Sequence, residues 1–230
     1  MNKPIIGIVS KHYATYKSNK NKIDTFIRDE VKQAIFDNGG VAIGILPTEA
    51  NINYCGDNWK DNLSIEEKEN LIAQLKLCDG IILQGGAETD NYESIIAKYC
   101  YEKNLPILGI CAGQNNIARA LGGTTYKIPN PEKHDKSFDE FVHWINIDKN
   151  SRFYDIVQTN KMQVNSRHKR TIKECPKLDK VAFCEDGYPD VIESKNKTFY
   201  IGVRFHPESL YKIDENHNKI FKEFINACKD

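Results

Sequence analysis

The chain lacks any surplus of charge: 32 Lys and Arg residues balance 32 Asp and Glu. Without a summed field there is no long-range attraction for nucleic acid or an anionic membrane, so neither is an expected partner. Long apolar runs are missing too. The run Ile5 to Val9, after Met1-Asn2-Lys3-Pro4, is far too short for a signal-peptide core or a spanning helix, and a cytoplasmic location is expected. The seven cysteines, at positions 55, 78, 100, 111, 175, 184 and 228, contain no CxxC pair and no Cys/His spacing of the zinc type. That pattern fits a reduced compartment in which most thiols are small core residues. G-x-G-x-x-G and Walker spacings are absent around the glycine pairs, and His134 and His143 stand apart in sequence; no cofactor and no metal are expected. No repeat or low-complexity linker divides the 230 residues, so residues 1–230 are read as one domain.

What is present is an alternation. Ile5 to Val9, Val41 to Leu46, Gly80 to Leu83 and Pro106 to Ile110 are nearly continuous apolar strands. Between them, Ile23, Phe26, Ile27, Val31, Ala34 and Ile35 share a helical spacing that predicts a helix over 23–37, stopped by Asn38-Gly39-Gly40. Ser64-Ile65-Glu66-Glu67 is a capping box opening a helix to about Leu77, and another helix spans about Asn91 to Glu102. The polar segments Lys17 to Lys22 and Thr48 to Leu63 read as a solvated connector and a site-covering loop. Strands of this kind separated by helices imply an α/β fold: a central, mostly parallel sheet with helices on both faces. The C-terminal half adds strands at Val142 to Ile147, Met162 to Val164, Val181 to Cys184, Val191 to Glu193 and Phe199 to Phe205, with turns between them, and a closing helix over 216–228. These are expected to extend the sheet with antiparallel strands.

Ligands of such sheets bind beyond the carboxyl ends of the strands. Two of those ends carry glycines, Gln84-Gly85-Gly86 and Gly109-Ile110-Cys111-Ala112-Gly113. The second has the spacing of a nucleophile elbow, where a sharp strand-to-helix turn presents a reactive side chain and tolerates only small residues two positions either side. A helix beginning after Cys111 would favour thiolate over thiol, lowering the pKa from its free value of ~8.5. The N–H of Ala112 would then meet a developing oxyanion, with a second donor from the Gly85-Gly86 turn. A base is available in Tyr200-Ile201-Gly202-Val203-Arg204-Phe205-His206-Pro207-Glu208. In extended chain His206 and Glu208 point to one side, so the carboxylate can orient the imidazole.

GICAG after an apolar strand, LGG after its helix and G-V-R-F-H-P-E further on resemble the class I glutamine amidotransferase superfamily, whose triad is Cys, His and Glu. Within it the sequence is most similar to stand-alone γ-glutamyl hydrolases of the type that cleaves γ-glutamyl-γ-aminobutyrate, peptidase family C26. Leu83-Gln84-Gly85-Gly86 with Asp90, the segment Phe138 to His143, and Val164-Asn165-Ser166-Arg167-His168 carry that likeness. The family's elbow usually has a basic residue where Ala112 stands and glutamine where Asn115 stands, and its loop has glutamine at the position of Arg170. The resemblance implies a flavodoxin-like amidotransferase fold with Cys111, His206 and Glu208 catalytic. It also implies a small γ-glutamyl substrate bound by Asn115, Asn165, Ser166 and His168, with Arg167 or Arg170 meeting a second carboxylate. The implied reaction passes through a γ-glutamyl thioester to glutamate and an amine. Expected partners besides substrate are a second copy in a homodimer, or a separate synthase under the alternative that the chain is a glutaminase subunit supplying ammonia.

Overall fold

The computed structural model describes residues 2–14, 23–48, 56–86, 91–137 and 140–229. Among these residues nine strands form one sheet: β1 (Ile5–Val9), β2 (Val41–Ile45), β3 (Gly80–Leu83), β4 (Ile107–Ile110), β5 (His143–Ile147), β6 (Lys161–Val164), β7 (Asp179–Cys184), β8 (Pro189–Glu193) and β9 (Tyr200–Val203). Their spatial order is β6-β5-β7-β8-β9-β4-β3-β1-β2. From β2 to β9 every pair is parallel. From β9 to β6 every pair is antiparallel. The α/β architecture expected from the sequence, a parallel sheet with an antiparallel C-terminal extension, is therefore the observed one.

Among the described residues seven α-helices accompany it: α1 (Asp29–Asp37), α2 (Ile65–Leu75), α3 (Asn91–Lys103), α4 (Ala112–Ala120), α5 (Arg152–Val157), α6 (Pro207–Leu210) and α7 (Glu215–Ala227). Alternate strand residues serve the two faces, as a period of two requires. On β3, Ile82 packs in a cluster with Val31 and Ile35 of α1 and Phe221 and Phe224 of α7. Its neighbours Ile81 and Leu83 pack instead with Leu71 of α2, Ile96 of α3 and Ile117 of α4. The Ser64 capping box forms as read: Ser64 Oγ accepts from Glu67 N, and Ser64 N donates to the Glu67 carboxylate. Among the described residues no helix is long and apolar enough to cross a membrane.

The helix expected over 23–37 is shorter than its periodicity suggests. Ile23–Phe26 is a strand, antiparallel to Lys11–Ala14, and α1 begins at Asp29. The cause is a distant side chain. Gln84 Nε2 donates to Val9 O and Phe26 O while its Oε1 accepts from Arg28 N, which holds the chain extended until α1 starts. Further short strand pairs, Thr124–Lys127 with Arg170–Glu174 and Asp135–Ser137 with Ser166–Arg167, have no counterpart in the sequence pattern. The whole connector 17–22 and residues 49–55 of the Thr48 to Leu63 loop lie outside the described residues, as do Asp90 and Phe138-Asp139.

Candidate active site

The carboxyl ends of β3, β4 and β9 lie side by side, and each delivers one part of the site. After β4 the chain turns at Cys111, φ 52° and ψ −101°, and enters α4 at once. A positive φ on a residue with a side chain costs on the order of 1–3 kcal/mol and persists only where the surroundings impose it. They do so here. Cys111 N donates to Val203 O at 2.8 Å, while Cys111 O accepts from Arg204 Nη1 at 3.0 Å. The flanking glycines are steric necessities: a Cβ on Gly113 would stand 2.2 Å from Leu83 O, and one on Gly109 would stand 2.7 Å from Gly113 O. Cysteine between two glycines is thus what a tight turn between β4 and α4 against β3 requires.

His206 follows β9 as the residue before α6, so Glu208 belongs to the first turn of a short helix and not to extended chain. The common direction expected from strand alternation is produced instead by that turn, which brings Nδ1 of His206 2.7 Å from Glu208 Oε1. Both side chains are buried. From β3, Gly85 completes the convergence: a Cβ there would lie 2.5 Å from His206 Cε1 and 3.4 Å from Cys111 Cβ. The aliphatic stem of Lys11 lies against Gly86, and the lysine forms a buried ion pair with Glu93, which also accepts from Asn116 of α4 at 2.7 Å.

A side-chain hydrogen bond links Cys111 with His206. Burial pushes the Cys111 thiol up, but the charge and hydrogen bond of His206, aided by the Arg204 guanidinium, bring it down to about 7. Burial likewise opposes the imidazolium of His206. The Glu208 carboxylate and the Cys111 sulfur overcome that cost and hold its pKa at about 10. Between those two values the favoured form is a thiolate beside an imidazolium. The N-terminus of α4, starting at Ala112, adds its own positive end to the sulfur's surroundings.

The expected substrate-binding residues are present around this centre, but most of their hydrogen bonds are internal. Asn165 brackets the His206 backbone, its Nδ2 donating to His206 O at 2.9 Å and its Oδ1 accepting from His206 N at 2.7 Å. Ser166 Oγ donates to His134 O at 2.7 Å. Asn115 Oδ1 accepts from Arg204 Nη2. His168 Nδ1 donates to Arg170 O at 3.1 Å while its buried Nε2 has no hydrogen-bond partner; burial and nearby Arg204 push its pKa well down. Arg170 is turned to Thr125.

Arg204 was not singled out from sequence, yet it is buried and ties the elbow carbonyl to Asn115. Its signal was available: a guanidinium inside an apolar strand end must be paired to be tolerated. The fold also gathers His134, His143 and Cys184, whose ligand atoms lie within 4.8 Å of one another, a grouping that their sequence spacing conceals.

The chain is similar to several known proteins. The chain is 29% identical over 195 residues to CTP synthase of Chlamydia trachomatis, a match covering 71% of this chain and 36% of that protein. It therefore spans little more than a third of the length of that relative. The glutamine amidotransferase-like protein YvdE of Lactococcus lactis is 29% identical over 193 residues, 72% of this chain and 80% of the relative. Among solved structures, a protein described as a GMP synthase subunit from Thermoplasma acidophilum superposes with a TM-score of 0.67 at 18% identity, covering 100% of this chain and 96% of the other. A glutamine amidotransferase from Thermotoga maritima gives 0.59 at 13%, covering 100% and 97%. These two share the fold. Residues 87–208, a stretch that takes in the elbow and ends at Glu208, match Peptidase C26, and the chain belongs to that family, within the class I glutamine amidotransferase-like superfamily.

Proposed function

We propose that the chain is a cysteine hydrolase acting, as one domain and without a cofactor, on the γ-glutamyl amide bond of a small compound. The observation that carries this reading is the sulfur of Cys111 held on a strained elbow against His206, itself 2.7 Å from Glu208. The Cys111 thiolate attacks the γ-carbonyl, and the C–S bond forms as the carbonyl electrons move onto oxygen. The N–H of Ala112 and the backbone at Gly85-Gly86 meet that oxyanion. His206 gives its proton to the departing amine, the C–N bond breaks, and a γ-glutamyl thioester remains. Water then attacks the thioester with His206 as base, releasing glutamate and regenerating the thiolate. Glu208 keeps the imidazole oriented and stabilises its cation. Among the four expected binding residues, His168 keeps an acceptor, Nε2, buried with no hydrogen-bond partner, which supports its receiving a substrate donor. Asn165 acts through the position of His206.

The test is a panel of γ-glutamyl amides given to the purified chain, with mass spectrometry of Cys111 after a γ-glutamyl electrophile. Turnover by the chain alone, lost in Cys111→Ala, supports the reading. An unmodified Cys111, or activity that survives its removal, sinks it. A second reading has its own support: the match to CTP synthase occupies 36% of that protein, so related sequence occurs joined to a synthase. Under it the chain supplies ammonia from glutamine to a separate synthase. Glutaminase activity that appears only when a partner is added, with no turnover of other γ-glutamyl amides, selects that alternative.

A further inference from the structure

We propose that His134, His143 and Cys184 form a binding site for a divalent cation of the zinc class. The site is separate from the thiol-imidazole pair, and the fold builds it from three places. His143 opens β5 and Cys184 closes β7. These strands are antiparallel neighbours with Ile145 opposite Cys184, so His143, two residues from Ile145, stands diagonally across from the cysteine on the same face. His134 arrives from the segment before the Asp135–Ser137 strand.

One ligand atom from each residue lies within 4.8 Å of the others. Donors around a tetrahedral zinc with ordinary Zn–N and Zn–S bonds stand roughly 3.5 Å apart, so small side-chain rotations close the site.

The orientation of the imidazoles is the stronger argument. His134 Nε2 faces Asp186 Oδ2 and His143 Nε2 faces Asp190 Oδ2, each at 3.3 Å. A carboxylate that accepts the N–H of one ring nitrogen leaves the other nitrogen as a lone pair, the arrangement that supports metal-bound histidine. In both rings that other atom, Nδ1, is buried with no hydrogen-bond partner. One thiol hydrogen on Cys184 can serve at most one of the two, and an acceptor without a donor inside a protein is costly. A cation satisfies both lone pairs and the sulfur together. Two imidazoles and one thiolate make a borderline-soft donor set that suits zinc and disfavours magnesium or calcium.

The site would staple the structure next to the proposed chemistry. His134 O accepts from Ser166 Oγ and from His168 N, and the adjoining Asn165 brackets His206. Fixing His134 therefore fixes the segment that holds His206.

The experiment uses the whole chain, dialysed against chelator and titrated with Co2+. One equivalent should bind, with a sulfur-to-cobalt charge-transfer band that persists in Cys111→Ala and vanishes in Cys184→Ser. His134→Ala should lose binding. Asp186→Asn should weaken it about 10- to 100-fold. In the unaltered protein, Zn2+ should protect Cys184 from alkylation, read by peptide mass spectrometry, which removes dependence on how the variants fold. Binding below one equivalent, a band that survives Cys184→Ser, or unprotected Cys184 in the presence of Zn2+ would overturn the proposal.

Discussion

The ionisation of Cys111 is the property on which the proposed chemistry turns, and replacing His206 with glutamine tests it directly. In the intact site the thiol lies at about 7 against an ordinary value of 9.0. At pH 7 about half the molecules then hold a thiolate, compared with about 1% at the ordinary value. His206→Gln removes the opposing cation and its hydrogen bond, leaving burial and the Glu208 charge to push the thiol up against the Arg204 guanidinium alone. The thiolate fraction at pH 7 should fall by roughly 50-fold. A thiolate of higher pKa is intrinsically more nucleophilic, and a rise of this size restores about 6- to 10-fold of the rate. The net expectation is alkylation roughly five- to eightfold slower at pH 7, with the inflection of the pH–rate curve moved up by about two pH units. The assay is iodoacetamide labelling of Cys111 across pH, quantified on peptides. Other described thiols supply the control: burial pushes Cys78 and Cys184 up to about 11, and Cys100, Cys175 and Cys228 also rise. Cys111 should therefore label first among them at neutral pH. A wild-type inflection at or above the ordinary value, or an inflection indifferent to His206, would refute the electrostatic account of the site.

Asn165→Ala strips both hydrogen bonds from the His206 backbone, at about 1–3 kcal/mol per orphaned group; melting temperature and turnover of a γ-glutamyl amide should fall together, and unchanged turnover would show that His206 is held by other means. Gly113→Ala places a Cβ 2.2 Å from Leu83 O, a backbone clash that cannot be relieved by a side-chain rotation, so little folded protein should be recovered on expression. Ser64→Ala removes one half of the capping box and should cost ~1 kcal/mol, seen as a modest drop in melting temperature with the Cys111 labelling profile intact.

The amino-acid sequence by itself determined the elements that depend on neighbours a few residues away. The apolar runs that became β1, β3 and β4, the Ser64 cap, and the glycines around Cys111 all act through local sterics, local hydrogen bonding or a two-residue period. The elbow was legible because only small residues permit the turn that presents its cysteine. Tertiary structure decided what depends on partners far along the chain. Gln84 kept Ile23–Phe26 out of the helix that their spacing favoured. The turn into α6, against expectation, set the relation of His206 to Glu208. Asn165 found its role 41 residues from His206, and His134, His143 and Cys184 met only once the β5–β7 register was fixed. Residue order specifies local conformation through short-range forces, whereas a contact between distant side chains exists only after strand register and helix packing have placed both ends.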